Sequence, residues 1–196
     1  MPERKPRKDA ARNRETIFAA ADALFAGCED PNDVTMADIA AAAGVGKGTL
    51  FRAFGDRAGL LRTLYASRLE PIEQAVEAGP PPLGPATPPQ QRVLAVLDAT
   101  LCFKLDNRRL TLALEDSGST SPYQAEHYQR WHRLLRTMLE QIPGSTGGDF
   151  TAHVLLAAVR ADLVEYLAGQ EGLPRERIRA QLADFTTGVL NSGSSG

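Results

Sequence analysis

The chain has 196 residues, 43% of them hydrophobic and 23% charged, which suits either one well-cored domain or a small domain joined to a larger one. No run approaches the roughly 18 consecutive apolar residues of a membrane span, and the basic N-terminus leads into an amphipathic pattern instead of an apolar one, so the expectation is a soluble cytoplasmic protein without a membrane partner. The net charge of −2 would exclude a nucleic-acid partner only if it were evenly spread. It is not: Arg4, Lys5, Arg7, Lys8, Arg12 and Arg14 crowd the start, residues 15–46 contain neither Lys nor Arg, and Lys47, Arg52, Arg57, Arg62 and Arg68 follow. Such a basic arm can be a solvated tail, or it can reach phosphates. Cys28 and Cys102 lack C-x-x-C spacing and imply neither a disulfide framework nor a zinc site.

Residues 1–8, charged and carrying Pro2 and Pro6, read as a flexible tail. Ile17, Ala20, Ala21, Leu24 and Phe25 then recur at helical spacing, giving a first helix over about 10–26, closed by Gly27. After an acidic loop, Thr35 and Asp38 have capping-box spacing and start a short helix whose Met36, Ile39, Ala40 and Ala43 share a face, with Gly44 at its left-handed end. Val45 plugs the turn, and 47–54 forms a second helix. Leu50 and Phe54 point inward, which leaves Lys47, Gly48, Thr49, Phe51 and Arg52 outward, on the face a DNA major groove would meet. This is a helix-turn-helix. Asp56 caps the next helix, which runs to about residue 78 with Leu60, Leu61, Leu64 and Tyr65 inward and, because Pro71 lies inside it, a kink or break expected near Arg68.

The proline-rich stretch 79–89 is a loop at the edge of a second domain. Residues 90–105 are apolar on nearly every side and read as a buried central helix. Residues 108–115 alternate like a strand, but no partner strand exists elsewhere, so a short helix is expected. Ser121 and Pro122 open a helix with Tyr128, Trp131, Leu134, Leu135, Met138, Leu139 and Ile142 inward. A helix over about 150–168 and a last one from Pro174 complete the domain. The apolar faces of these last two helices, through Val154, Ala158, Ile178, Leu182 and Phe185, are expected to pair two subunits. Residues 191–196 read as a second flexible tail.

The string T-x-x-D-I-A-x-x-A-G-V-x-K-G-T-L-F-x-x-F over 35–54, behind a basic arm and one helix, resembles the TetR family of bacterial transcriptional regulators. The resemblance is close over 14–64 and beyond that rests on the all-helical layout. It implies an all-α protein of about nine helices, with a DNA-binding domain at 9–56 and a larger effector-binding and dimerisation domain at 57–190. It also implies a homodimeric repressor on a pseudo-palindromic operator, released by a small molecule and nucleoid-associated when bound. Carried over by position, Thr35 and Arg57 would contact phosphate and Lys47, Gly48, Thr49 and Arg52 would face bases or adjacent phosphates, with Arg14 in the basic arm. Four residues depart from the usual pattern: Phe51 where tyrosine is common, Gly46 for a serine cap, Ala37 for a frequent arginine, and Gly55 for proline or serine. These departures weaken phosphate anchoring and shift weight to the arm.

Cys102, Phe103, Tyr128, Trp131 and His132 are candidates for an effector pocket between the central helices, although an aromatic stripe at this spacing is equally a plain core. Arg108 and Arg109 could select an anionic effector or simply be solvated. No metal or cofactor is expected, because His127 and His132 are five apart and diverge on a helix. No phosphate loop, nucleophile elbow or carboxylate pair suggests an enzyme. The competing reading is a DNA-binding or scaffold protein of the same fold that acts through a protein partner, without an inducer.

Overall fold

A computed structural model describes residues 4–116, 123, 126–144 and 148–192. Among these residues all regular structure is helical, and the expected boundaries of the second, third and fourth helices hold closely. Helix α1 spans Arg4–Gly27, α2 Met36–Ala42, α3 Lys47–Phe54 and α4 Arg57–Ala78. A 3₁₀ turn, Pro31–Asp33, is started by the Asp30 carboxylate, which accepts from the Asn32 N–H at 2.8 Å. Ile17, Ala21, Phe25, Ile39, Ala40 and Leu50, all nearly inaccessible, form the core between the first three helices, and Leu60, Leu61 and Leu64 of α4 close it from below. Gly44 takes φ 65°, the left-handed geometry that lets α2 stop and α3 start at an angle.

Two expectations about this half need correction. The first helix begins at Arg4, so 4–8 belong to it and not to a tail. Arg and Lys are good helix formers, and Pro6 falls in the first turn, where an N–H has no acceptor to lose. Helix α4 also runs unbroken through Pro71. The carbonyl that Pro71 leaves unpaired belongs to Ser67, and both residues are exposed, so water can replace the lost bond.

The remaining helices are α5 (Pro89–Asp106), α6 (Arg108–Asp116), α7 (Glu126–Glu140), α8 (Gly148–Ala157), α9 (Ala161–Glu165) and α10 (Arg175–Ser192). Helix α5 is central: it packs against α4, α6, α7, α9 and α10. Val93, Val96, Leu97, Leu101 and Phe103 are buried along it, while Leu94 and Cys102 keep partial exposure, so it is not covered on every side. The loop ahead of α5 is fastened by Arg92, whose guanidinium donates to the carbonyls of Leu83 (2.9 Å) and Val76 (2.7 Å). Residues 108–116 are helical, as the absence of a partner strand required. The expected helix start at Ser121 and Pro122 lies outside the described residues.

The single helix expected over 150–168 is divided. Helix α8 ends at Ala157, Arg160 is extended (ψ 148°), and α9 continues into a π-helical turn, Tyr166–Gln170. Among the described residues, counting α8 and α9 as one interrupted helix gives nine, in line with the expectation of about nine. The last helix starts at Arg175, directly after Pro174. Helix α6 links the N-terminal helices to the rest, touching α1 and the 3₁₀ turn as well as α4, α5 and α9. Arg68 of α4 reinforces the junction by pairing with Asp22 of α1 and donating to the Asn107 amide oxygen between α5 and α6.

Candidate nucleic-acid interface

Helix α3 sorts its residues by face. Leu50 is fully buried and Phe54 is half-buried against Phe18, with ring centroids 6.0 Å apart. Lys47, Gly48, Thr49, Phe51, Arg52 and Ala53 are exposed, with Phe51 at 49%. The sequence-predicted outward set is therefore accessible on the side of α3 away from Leu50 and Phe54. Arg14, together with Arg12, is exposed on α1.

The entry to α2 is a complete capping box. The Asp38 N–H donates to the Thr35 hydroxyl (3.3 Å), and both the hydroxyl and the backbone N–H of Thr35 (3.0 Å) donate to the Asp38 carboxylate. These bonds from Thr35 hold the Asp38 carboxyl below the usual carboxylate range, with a smaller contribution from Lys47. Both donors of Thr35 are thus committed to Asp38, so its first role is to fix the angle of α2, and a phosphate would have to displace the carboxylate to use it.

Arg57 is also engaged. Its Nε donates to the Val34 carbonyl (2.9 Å) and an Nη to the Pro31 carbonyl (2.6 Å), and the side chain is half-buried. The family resemblance implied a phosphate contact at this position. In the structure it ties the start of α4 to the loop that presents Thr35. Gly46 leads α3 without a side-chain cap, as its replacement of a serine implied.

These parts, in this order and geometry, match the family model described as bacterial regulatory proteins, tetR family, over residues 17–64. Over this span the chain carries a DNA-binding segment of the TetR type. The chain is 25% identical to the HTH-type transcriptional regulator SAR0097 of Staphylococcus aureus (strain MRSA252) over 187 residues, covering 93% of this chain and 96% of that protein. It is 27% identical to the HTH-type transcriptional repressor LfrR of Mycolicibacterium smegmatis (strain ATCC 700084 / mc(2)155), over 94% of this chain and 96% of the relative. In fold it is similar to NalD, the secondary repressor of the MexAB-OprM multidrug efflux pump in Pseudomonas aeruginosa (TM-score 0.61, 16% identity, 92% of this chain and 96% of that one). A TetR transcriptional regulator from Rhodococcus sp. RHA1 gives a TM-score of 0.55 at 24% identity, over 92% and 98% of the two chains. This chain is a DNA-binding transcriptional regulator, and the relatives are named as regulators, not enzymes.

The residues assigned to an effector pocket do not converge. Phe103 is buried edge-on to Tyr65 (5.2 Å between centroids), and Trp131 is buried in the core. Cys102 is half-exposed beside Arg175. Tyr128 and His132 instead stack together, 6.3 Å apart, around His153, a residue that sequence reasoning passed over. Burial raises the Tyr128 hydroxyl above the usual phenol range. None of the five lines either of two open clefts. One, of about 490 Å³, lies between Asp22, Arg68 and Asn107; the other, of about 590 Å³, lies between α5 and α10 beside Leu94, Asp98 and Arg179. Arg108 and Arg109 are not simply solvated, since both face the largely buried Glu165 carboxylate, at 3.7 and 3.3 Å.

The dimer candidates also divide. Ile178 and Leu182 are buried within their own subunit's core, Val154 and Ala158 are half-buried, and Phe185 is 43% exposed. Among the described residues, no helix is long and apolar enough to cross a membrane.

Proposed function

We propose that this chain is a homodimeric repressor that binds a pseudo-palindromic operator through residues 9–56, with 57–190 pairing the subunits and carrying the response to a small-molecule effector in the cytoplasm. The exposed face of α3 set on a buried Leu50 carries this reading, because it offers Lys47, Gly48, Thr49, Phe51 and Arg52 together on a rigid support. Lys47 and Arg52 supply cations for guanine edges or phosphates, Thr49 a hydroxyl, Gly48 room for close approach, and Phe51 an apolar contact suited to a thymine methyl. Arg14 adds a phosphate contact from α1. Thr35 and Arg57 act as positioning residues that hold α2 and the loop before it at the required angle.

Pairing is supported by apolar side chains left exposed on the last helices, Phe185 with Leu163 and Tyr166. The packing of Trp131 and Phe103 into the core favours a second reading, in which a protein partner and no inducer relieves repression. The test is an electrophoretic shift on the DNA upstream of the coding region across a salt series. A saturable specific shift with a steep salt slope is expected, and Arg52→Ala should relax preference at one or two base positions at a cost of about 1–3 kcal/mol. Equal loss on every sequence in that variant would remove Arg52 from the base-reading set, and no specific shift for the unmodified chain would sink the repressor reading.

A further inference from the structure

The chain has three histidines, and two of them meet across α7 and α8. The rings of His132 and His153 lie with centroids 3.9 Å apart, and Asp149, one turn before His153 on α8, closes the group, so that one donor atom from each lies within 4.8 Å of the others. The His132 side chain is 12% exposed, and its Nε2 faces the Asp149 carbonyl at 3.2 Å and the Asp149 carboxylate at 3.5 Å, contacts that a metal bound at Nε2 would replace. His153 is oriented by the Tyr128 hydroxyl, 2.7 Å from its Nδ1. When that hydroxyl accepts from Nδ1–H, the ring is fixed in the tautomer that leaves a lone pair on Nε2, which is how outer partners commonly prepare a metal-ligating histidine.

We propose that His132, His153 and Asp149 form a binding site for a single divalent transition-metal ion of the zinc class. Two imidazoles and one carboxylate suit zinc, cobalt, nickel or copper and not magnesium or calcium, which take oxygen donors. Donors about 2.0–2.1 Å from a tetrahedral zinc stand roughly 3.4 Å apart. Binding requires the donors to close from within 4.8 Å and one of the two imidazoles, now stacked at 24°, to turn until both in-plane lone pairs converge, with the exposed Asp149 carboxylate following. Arg136 competes for the same carboxylate from 3.7 Å and would yield it to the metal, keeping Glu140, its other partner at 3.3 Å. The fourth position faces solvent or a small ligand. The site uses no residue of the DNA-reading face, so its existence does not depend on the repressor reading.

Tag-free, EDTA-treated full-length chain titrated with Zn²⁺ in a calorimeter should take up one ion per chain. Co²⁺ should give a visible absorption band that Zn²⁺ abolishes. His132→Ala and His153→Ala should each weaken Zn²⁺ at least tenfold, and Tyr128→Phe by about tenfold through loss of ring orientation. Long-range ¹H–¹⁵N spectra should show the His132 and His153 rings shifting with Zn²⁺ while His127, packed on Tyr65, does not. Asp149→Asn, on an exposed side chain, tests the site without disturbing the core should a histidine variant fail to fold. Absence of stoichiometric uptake, or full affinity retained in His153→Ala or Asp149→Asn, overturns the proposal.

Discussion

Arg57 shows how one residue's role changes when its partners are known. Two hydrogen bonds from its guanidinium to the Val34 and Pro31 carbonyls hold the loop that delivers Thr35 to its cap. Removing them in Arg57→Ala strands two carbonyls, and hydrogen bonds from a charged group contribute about 1.5–3 kcal/mol. Urea unfolding should show a loss of that order, and operator and non-operator DNA should be bound more weakly alike. A phosphate contact would also flatten the salt dependence by nearly one unit per contact, whereas a positioning role leaves the slope unchanged. A flattened slope with unaltered stability would restore the reading made from sequence.

At Asp38 the physics is that of a lowered carboxyl. Its folded pKa lies below the ordinary 3.8, held there chiefly by Thr35. The capping contribution is therefore complete above that ordinary value and is lost as pH falls through the lowered one. In melting curves taken between about pH 5 and pH 2, Asp38→Asn should flatten part of the acid-side decline. An identical decline in both proteins would show that the cap carries no linkage.

Among the elements, the two helices of the reading head were legible in the sequence because their limits are set locally. Thr35 and Asp38 make a box within four residues, Gly44 supplies the left-handed turn, and the 50/54 spacing names the inward face. The interruption between α8 and α9 was not legible, since 157–163 contains no glycine or proline to mark it. Glu165 meets Arg108 and Arg109 from a distant helix, and a Cβ at Gly169 in the following π turn would collide with its carboxylate. For the same reason the histidine pair escaped notice: 132 and 153 sit on different helices and no periodicity relates them. The uncapped start of α3 gives a prediction at this scale. Gly46 has φ −66° and ψ 140°, which any residue can adopt, and a Cβ there would meet nothing closer than the Thr49 hydroxyl oxygen at 3.8 Å. Gly46→Ser should stabilise the fold by a few tenths of a kcal/mol, read as a raised urea midpoint at constant slope. A lowered midpoint would mean that Gly46 is needed for something other than capping.

For the whole molecule, reading an operator with two-fold symmetry requires two heads held at one separation, and the chain supplies one. Ile178 and Leu182 are spent on the subunit's own core, which shifts the burden of pairing from the face read in the sequence to the neighbouring exposed positions. Phe185, 43% exposed on α10, is the large apolar side chain placed to serve. Replacing it by glutamate leaves the core residues Ile178, Leu182 and Thr186 in place and sets a charge where an interface would have to desolvate it. Phe185→Glu should run as a folded monomer in light scattering at concentrations where the unmodified chain is a dimer. Its operator affinity should then fall by about 10²-fold or more, because the second head no longer binds at the effective concentration its partner provides. Binding to an isolated half-site should change little, since the α3 face is untouched. A variant that remains dimeric with full operator affinity would place the interface on another face of α8 to α10.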